Sequence, residues 1–299
     1  MADEARHEMG DGRLTVAVLA EGAELCSLRH AEAGELLWGA GPAWPRHSPV
    51  LFPIVGRLAG DTLRHAGRTY PLSQHGFARD RRFRWEERDA ASCRLVLEDD
   101  AATRTAFPFP FRLELHYALA DATLRVGYRV TNTGNAVLPC SLGAHPAFRW
   151  PLAPGIAAES HRLLFAVEEP APVRRLEGGL LRADPEPTPV EGRVLPLRRT
   201  LFAADALILD QLASRSLRYE APGAAGLELG WDGFAQLGLW SREGGDFLCI
   251  EPWHGVADPA GFEGDFTDKP GVMLIAPGET RELGWWVRVL AAGAGKAWA

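Results

Sequence analysis

The stretch FRLELHYALADATLRVGYRVT, residues 111–131, alternates apolar and polar side chains with a period of two. In residues 111–119 the large apolar side chains stand at the odd positions, and in residues 123–131 they stand at the even positions. Alternation of this kind is typical of strands that bury one face. Because only Ala120-Asp121-Ala122 separates the two runs, the stretch predicts an antiparallel hairpin.

The same alternation returns along the rest of the chain. It occurs in residues 14–19, 24–28, 94–98, 162–167, 227–229, 235–240, 247–250 and 283–289. Helical patterns are short and confined to residues 100–106 and 198–204, and the regular exchange of strands and helices that marks a parallel sheet is absent. The sequence therefore predicts an all-β fold, an antiparallel β-sandwich.

We expect one domain over residues 1–299. Its core covers about residues 14–290, with terminal extensions at 1–13 and 291–299, and the Pro- and Gly-rich residues 168–192 form a long excursion from the sheets. The adjacent Trp285 and Trp286 place aromatic rings on both faces of one strand. That arrangement predicts either a second packed sheet or a contact between subunits, so a homodimer is possible.

Composition limits the classes of function. Of the 299 residues, 46% are hydrophobic and 24% charged, which excludes a disordered or collagen-like chain. The formal charge of -7 argues against a nucleic-acid partner. No apolar run reaches the roughly 18 residues needed to cross a membrane. The four cysteines are far apart and form no CxxC pair, so we expect free thiols and a cytoplasmic location.

Motifs for common cofactors are missing from the sequence. It contains no GxGxxG, Walker A, HExxH or HxH pattern. The segment Pro139-Cys140-Ser141-Leu142-Gly143 lacks the first glycine of a nucleophile elbow. We therefore expect no metal and no cofactor, which leaves acid/base chemistry as the main enzymatic option.

Four segments combine an ionisable residue with an apolar, Gly- or Pro-containing context. They are FPIVGR (52–57), QHGFAR (74–79), GAHPAF (143–148) and CIEPW (249–253). In the last two, a proline follows His145 and Glu251 and holds each in an extended conformation. The small neighbours of His145 predict room for a ligand around its ring. An unpaired buried carboxylate is costly, so Glu251 is either functional or part of a buried Glu–Arg pair.

The other two segments have a functional and a structural interpretation each. Arg57 presents a guanidinium fork suited to sugar hydroxyls or an anion, unless it forms a surface ion pair. His75 is followed by Gly76, which permits a tight bend beside the imidazole. Trp253 offers the flat apolar face on which sugar rings stack. His145 could equally be a structural residue that caps its strand.

These four segments, in this order and with residues 270–279, resemble the aldose 1-epimerase (galactose mutarotase) family, most of all its bacterial LacX-type branch. The resemblance extends from about residue 14 to about residue 290. It implies the galactose-mutarotase-like supersandwich, with a site in a groove on a concave sheet. It also implies cofactor-free interconversion of the α and β anomers of a hexose.

The resemblance assigns roles to individual residues. Glu251 matches the base, His145 the acid, and His75 a second histidine that holds the ring-side oxygen. Arg57 matches an arginine that binds sugar hydroxyls, and Asp205 an aspartate that does the same. At neutral pH we expect a partly protonated His145 beside an ionised Glu251.

Three alternatives remain open at this point. Arg79 together with Arg57 would suit a phosphate, which favours a hexose-6-phosphate 1-epimerase. A non-catalytic carbohydrate-binding or sensing protein would keep the sugar site without accelerating anomer exchange. A glycosidase would need a second carboxylate across from Glu251, for which Asp205 and Asp258 are the candidates.

Overall fold

The computed structural model describes residues 5–291, and in that range the protein has 25 strands and six short 3-10 helices. The strands are β1 (Arg6–Gly10), β2 (Leu14–Leu19), β3 (Leu25–His30), β4 (Gly34–Glu35), β5 (Val50–Leu51), β6 (Thr62–His65), β7 (Arg68–Pro71), β8 (Arg84–Arg88), β9 (Ser92–Glu98), β10 (Phe111–Ala120), β11 (Thr123–Asn132), β12 (Leu138–Cys140), β13 (Leu142–Ala144), β14 (Ala147–Arg149), β15 (Arg162–Phe165), β16 (Leu176–Glu177), β17 (Leu180–Leu181), β18 (Val194–Pro196), β19 (Leu207–Leu209), β20 (Ser216–Glu220), β21 (Gly226–Asp232), β22 (Gln236–Trp240), β23 (Phe247–His254), β24 (Met273–Ile275) and β25 (Thr280–Leu290). The 3-10 helices are Ala59–Asp61, Ala78–Asp80, Thr103–Thr105, Ala158–Ser160, Arg199–Phe202 and Phe266–Asp268. Single turns thus occupy the two segments with helical patterns.

Two large antiparallel sheets form the sandwich. The first has nine strands in the order β18-β15-β20-β21-β25-β11-β10-β9-β8. The second has six strands, with the order β19-β22-β23-β13-β5 and with β14 also paired to β23. One buried apolar cluster contains Leu113 and Leu115 of the first sheet as well as Leu248 and Ile250 of the second. The predicted all-β sandwich is confirmed.

The predicted hairpin is confirmed as β10 and β11. The two strands pair from Phe111 opposite Asn132 to Ala120 opposite Thr123. Along β10 every second side chain is buried, which follows from the two-residue period of a strand. On β25, Trp285 is buried in the core, whereas the ring of Trp286 lies over Gly230 on the other face. The core-facing ring thus packs within the sandwich, and the homodimer stays a prediction.

The ends of the chain differ from the expected boundaries. Strand β1 pairs with β2 from Arg6 onward, within the segment 1–13 assigned to an extension. Its sequence carries little signal, because Met9 is its only buried residue. Residues 292–299, the rest of the C-terminal extension, lie outside the described residues.

Two further expectations concern the cysteines and the membrane. All four cysteines are free thiols, three of them buried and Cys26 half-buried, as the spacing predicts. Among the described residues, no helix has the length and apolar character needed to cross a membrane.

Strand β23 positions the site and is longer than its apolar pattern indicates. Leu248 and Ile250 face the core between the sheets, so Cys249, Glu251 and Trp253 point to the opposite face. Loops cover that face, and the strand is therefore buried on both sides, as its continuous apolar run reflects. Glu251 consequently lies within the strand rather than at its end.

Pro252 is the reason that the strand seemed to stop. A proline is normally excluded from a central strand because it lacks an N–H. Backbone N–H groups alternate sides along a strand, and that of Ile250 donates to the Pro146 carbonyl at 3.3 Å. The Pro252 nitrogen faces the same side, where β13 has ended and β14 has not yet begun. The missing N–H therefore falls in a gap of the ladder.

Candidate active site

A cavity of about 290 Å³ lies over the outward face of the six-stranded sheet. Six of the seven predicted site residues line it, namely His75, Arg79, His145, Asp205, Glu251 and Trp253. They come from strand β23, the 3-10 helix Ala78–Asp80 and three loops, which belong to distant parts of the sequence. The sheet pairing brings them together, because β13 and β14 both lie beside β23.

His145 and Glu251 form the centre of this pocket. The Nε2 atom of His145 lies 3.1 Å from the Oε2 atom of Glu251. His145 occupies the short link between β13 and β14, and Glu251 projects from β23 directly beneath that link. Both side chains are buried, at 9% and 1% exposure. Among residues 5–291, nothing donates a well-aligned hydrogen bond to Oε2 of Glu251 or bonds Nδ1 of His145.

The surroundings of His145 differ from the expectation of small neighbours. The indole of Trp44 stacks on the imidazole with a centroid distance of 4.9 Å. The ring of Trp240 meets it edge-on at 5.8 Å. Gly143, Ala144 and Ala147 are small, but they leave space that distant aromatic residues fill. His145 is thus held in a fixed orientation by rings on two sides.

His75 provides a second imidazole in the same pocket. Its backbone is left-handed with a φ of 67°, and Gly76 follows with a φ of 71°. This bend brings His75 against Gly56, whose N–H donates to Nδ1 at 3.1 Å. A neutral imidazole that accepts at Nδ1 carries its proton on Nε2. The Nε2–H group of His75 lies 3.4 Å from the side-chain amide of Gln74, and the ring is 5.7 Å from that of His145.

Trp253 forms the floor of the pocket beside Glu251. Its indole lies flat across the backbones of the two neighbouring strands, at Gly238 of β22 and Gly143 of β13. A Cβ atom at Gly238 would stand 2.4 Å from the ring, and one at Gly143 would stand 2.8 Å from it. Glycine at both positions is thus what allows the ring to lie on the sheet.

Burial sets the protonation of the central pair. Desolvation raises the pKa of Glu251 well above its usual value, and the charge of Asp205 adds to this, while the Trp253 side chain opposes it. Desolvation lowers the pKa of His145 to about 3, and the guanidinium groups of Arg79 and Arg46 act in the same direction. Burial by the surrounding protein therefore favours a protonated Glu251 beside a neutral His145. The expectation of an ionised Glu251 and a partly protonated His145 runs against both of these shifts, because it took the ordinary pKa of each group and both groups are buried.

His75 follows the same trend. Burial lowers its pKa well below the usual value, and the charges of His145, Arg79 and Arg46 contribute in that order. A neutral ring agrees with the single proton on Nε2 inferred from its contact with Gly56.

Arg57 is the one predicted site residue that the structure does not place in the pocket wall. Its Nε and Nη2 atoms donate to the Asp61 carboxylate at 2.7 and 2.6 Å. The guanidinium fork is thus occupied by a carboxylate four residues ahead, and the side chain is 43% exposed. This is the surface ion pair that the sequence analysis left as the alternative.

Arg79 and Asp205 lie at the entrance of the pocket. The Nη2 atom of Arg79 donates to the Gln74 carbonyl at 2.8 Å, which holds the guanidinium beside the histidines. Asp205 is exposed, has a left-handed φ of 68°, and accepts the Ala206 N–H at 2.8 Å. The remaining face of its carboxylate is available to a ligand.

Sequence reasoning missed three lining residues, Trp44, Trp240 and Arg242. Trp44 lies in a Pro-rich loop that has no periodic pattern. The sequence did contain a signal for Trp240. It lies two residues after Gly238 on β22, so the two residues share one face of the sheet. Arg242 follows that strand and has no distinctive context in the sequence.

Within residues 5–291, a single group of side chains has the spacing to hold a metal ion. The ligand atoms of His145, Cys249 and Glu251 lie within 4.8 Å of one another. Burial raises the pKa of the Cys249 thiol well above its ordinary value. A protonated thiol is a poor ligand, since metals bind the thiolate. The donor set therefore fits a metal poorly, and cofactor-free chemistry stays a prediction.

Comparison with known proteins places the chain in a family. The family model for aldose 1-epimerase matches residues 6–270. The chromosomal LacX protein of Lactococcus lactis is 31% identical over 295 residues, which cover 95% of this chain and 99% of LacX. A galactose mutarotase related enzyme from Lactobacillus acidophilus has a TM-score of 0.88 at 29% identity, covering 97% of this chain and 98% of that one.

A galactose mutarotase-like protein from Lactobacillus casei is similar to the same degree. It has a TM-score of 0.88 at 30% identity and covers 95% of this chain and 99% of its own. A galactose 1-epimerase from Lactobacillus acidophilus, at 14% identity and a TM-score of 0.69, shares the fold. The family-model match over residues 6–270 and the relationship to LacX along 95% of the chain show that this protein belongs to the aldose 1-epimerase family.

Proposed function

We propose that the protein is an aldose 1-epimerase that interconverts the α and β anomers of a hexose. The observation that carries the proposal is the buried contact of 3.1 Å between His145 and Glu251 at the bottom of a pocket with a second imidazole. Ring opening needs a base at the C1 hydroxyl and an acid at the ring oxygen. Two adjacent groups that hold one proton between them meet that need.

In the proposed reaction Glu251 removes the proton from the C1 hydroxyl while His145 protonates the ring oxygen. The C1–O5 bond breaks, a carbonyl forms at C1, and rotation about the C1–C2 bond exposes its other face. Closure uses the same groups in opposite roles, so protons balance over the cycle.

Substrate binding has to move the proton within the pair before the ring opens. Burial by the protein alone leaves this proton on Glu251. A C1 hydroxyl that donates a hydrogen bond to Glu251 stabilises the ionised carboxylate and so favours proton transfer to His145.

The other pocket residues hold the sugar. We assign the stacking surface to Trp253, hydroxyl binding to Asp205 and Arg79, and an N–H donor to the ring-side oxygen to His75. Arg57 is not assigned a substrate contact, since Asp61 occupies its guanidinium. We also infer a cytoplasmic location, where the four free cysteines would stay reduced.

The test is anomer exchange by NMR saturation transfer on glucose and galactose, compared with the spontaneous rate. We expect acceleration by the wild type and a loss of about 10²- to 10⁴-fold in each of Glu251→Gln and His145→Ala. His116→Ala, on the exposed face of β10, is the matched control and should keep full activity. Full rates in both pocket variants would refute the proposal.

A phosphorylated hexose is the second candidate, and the guanidinium groups near the pocket favour it. Arg79 and Arg242 line the cavity although the chain carries a net charge of -7. Among residues 5–291, Arg242 has no ion-pair partner. Glucose 6-phosphate tested in the same assay should then show a lower KM than glucose. Saturable sugar binding without acceleration of any sugar would instead favour the non-catalytic binding protein.

A further inference from the structure

A second and larger cavity adjoins the catalytic pocket. Its volume is about 850 Å³, against about 290 Å³ for the pocket. Asp205, Trp240 and Arg242 line both cavities, so the two meet along this shared wall. Ligand sites commonly occupy about 300 to 1,000 Å³. The pocket is thus at the small end of that range, and the adjoining groove extends well beyond what one sugar ring needs.

The shared wall carries exposed charged groups that are available to a ligand. Asp205 and Arg242 are both exposed, and within the described range neither side chain has an ion-pair partner. Trp240 between them is partly exposed, with its ring against His145. A carboxylate, a guanidinium fork and an indole are the groups that bind hydroxyls and the apolar face of a sugar ring.

The far side of the groove carries charges of both signs. Arg199 lies 4.5 Å above the Trp150 ring and pairs with Asp246 at 3.2 Å, so its charge is compensated. Thr200 adds a hydroxyl, and Glu243 adds an exposed carboxylate. Because these walls present both signs of charge, they suit a neutral, hydroxyl-rich ligand better than a phosphate.

We propose that this groove binds the second ring of a reducing disaccharide or longer oligosaccharide, whose reducing-end ring occupies the catalytic pocket. The proposal rests on the epimerase function and specifies its substrate class. The groove holds the part of the sugar that does not react, so it contributes binding to the substrate while His145 and Glu251 act on C1. Asp205, Trp240 and Arg242 would then contact both rings at the junction.

The experiment compares anomer exchange of maltose and of glucose. For the wild type we expect kcat/KM to be at least about tenfold higher for maltose, through a lower KM. Ala203 is exposed and lines the groove but not the pocket, so Ala203→Trp fills the groove alone. This variant should raise the KM for maltose about tenfold or more and leave that for glucose within about twofold.

Two controls keep the result interpretable. Ala101→Trp places the same ring on an exposed turn outside both cavities and should change neither KM. Glu243→Ala is a milder groove variant that removes only an exposed carboxylate. It should weaken the binding of maltose and leave that of glucose unchanged. Maltose kinetics that equal those of glucose, and that Ala203→Trp leaves unchanged, would overturn the groove proposal while the epimerase stands.

A failure of the proposed function gives a different result. If anomer exchange of neither sugar is accelerated, the epimerase proposal fails. Calorimetric titration of maltose into the wild type and into Ala203→Trp then tests the groove proposal by itself. Tighter binding of maltose than glucose that is lost in Ala203→Trp supports the groove. Equal binding in both proteins overturns it.

Discussion

Replacing Gly238 by alanine tests whether the pocket floor depends on a glycine under Trp253. The added Cβ would stand 2.4 Å from the indole, whereas ordinary contacts begin at 3.4 Å. The ring must therefore shift by about 1 Å. A misplacement of that size costs up to about 10²-fold in rate when it disturbs reacting groups. Since Trp253 adjoins Glu251, we expect kcat/KM to fall by about 10- to 100-fold.

The same substitution has an effect on stability that does not depend on activity. Forcing an extra methyl group into a packed site costs about 1 to 3 kcal/mol. The backbone φ of Gly238 is not positive, so the expected loss comes from the contact with Trp253 rather than from backbone strain. Chemical denaturation monitored by tryptophan fluorescence measures this free energy of unfolding.

Gly127→Ala is the matched control, because Gly127 lies within β11 of the other sheet and its nearest contact to a Cβ would be 4.0 Å. We expect this variant to keep its activity and to be more stable by about 0.5 to 1 kcal/mol, as alanine restricts the unfolded chain. Gly238→Ala with wild-type kinetics and stability would refute the reasoning, since Trp253 would then have room to move without consequence.

Three further predictions follow from buried or paired charges. Activity should persist at pH values below the ordinary histidine pKa of about 6.5, because the His145–Glu251 pair stops working on the acid side only when it takes up a second proton, and burial lowers the pKa of His145. Saturation transfer across pH, corrected for the spontaneous rate, measures this profile. An acid limb centred near 6.5 would contradict the prediction. Lys269→Met should lower the free energy of unfolding by about 3 kcal/mol. The ammonium of Lys269 is buried, which lowers its pKa to about 8, and it donates to the Val256 carbonyl and faces the buried Asp258. Denaturation curves that superimpose on those of the wild type would show that this cation is dispensable. Arg57→Ala should leave the KM for glucose within about twofold and should barely change the denaturation curve, as expected for an exposed ion pair. A tenfold rise in KM would show that Arg57 leaves Asp61 to bind substrate.

The strands could be predicted from the sequence because their signal is local. Alternation in β10 and β11 reports directly on a backbone with a two-residue period, and the structure contains the predicted hairpin. Strand β23 shows the limit of this signal. It is buried on both faces and contains Pro252, so its extent depends on where β13 ends and β14 begins.

The candidate site divides in the same way. His75, His145 and Glu251 were found from their Gly- and Pro-containing segments, and the pocket contains all three. Trp44 could not be found, because a ring that stacks on His145 from a distant loop leaves no local pattern. The pairing of Arg57 with Asp61 is likewise a choice among partners that only the folded chain makes.

By itself, then, the sequence determined the all-β architecture, the family and the two residues at the centre of the pocket, His145 and Glu251, since short segments of the sequence indicate each of these. Only the tertiary structure decided the protonation of that pair, the flat pocket floor formed by Trp253 and the groove beside the pocket. The physical reason is that the burial of one atom and the electrostatic potential at that atom both depend on residues from the whole chain. Desolvation of His145 and Glu251 arises from strands and loops separated widely in sequence, and it exists only after they have packed.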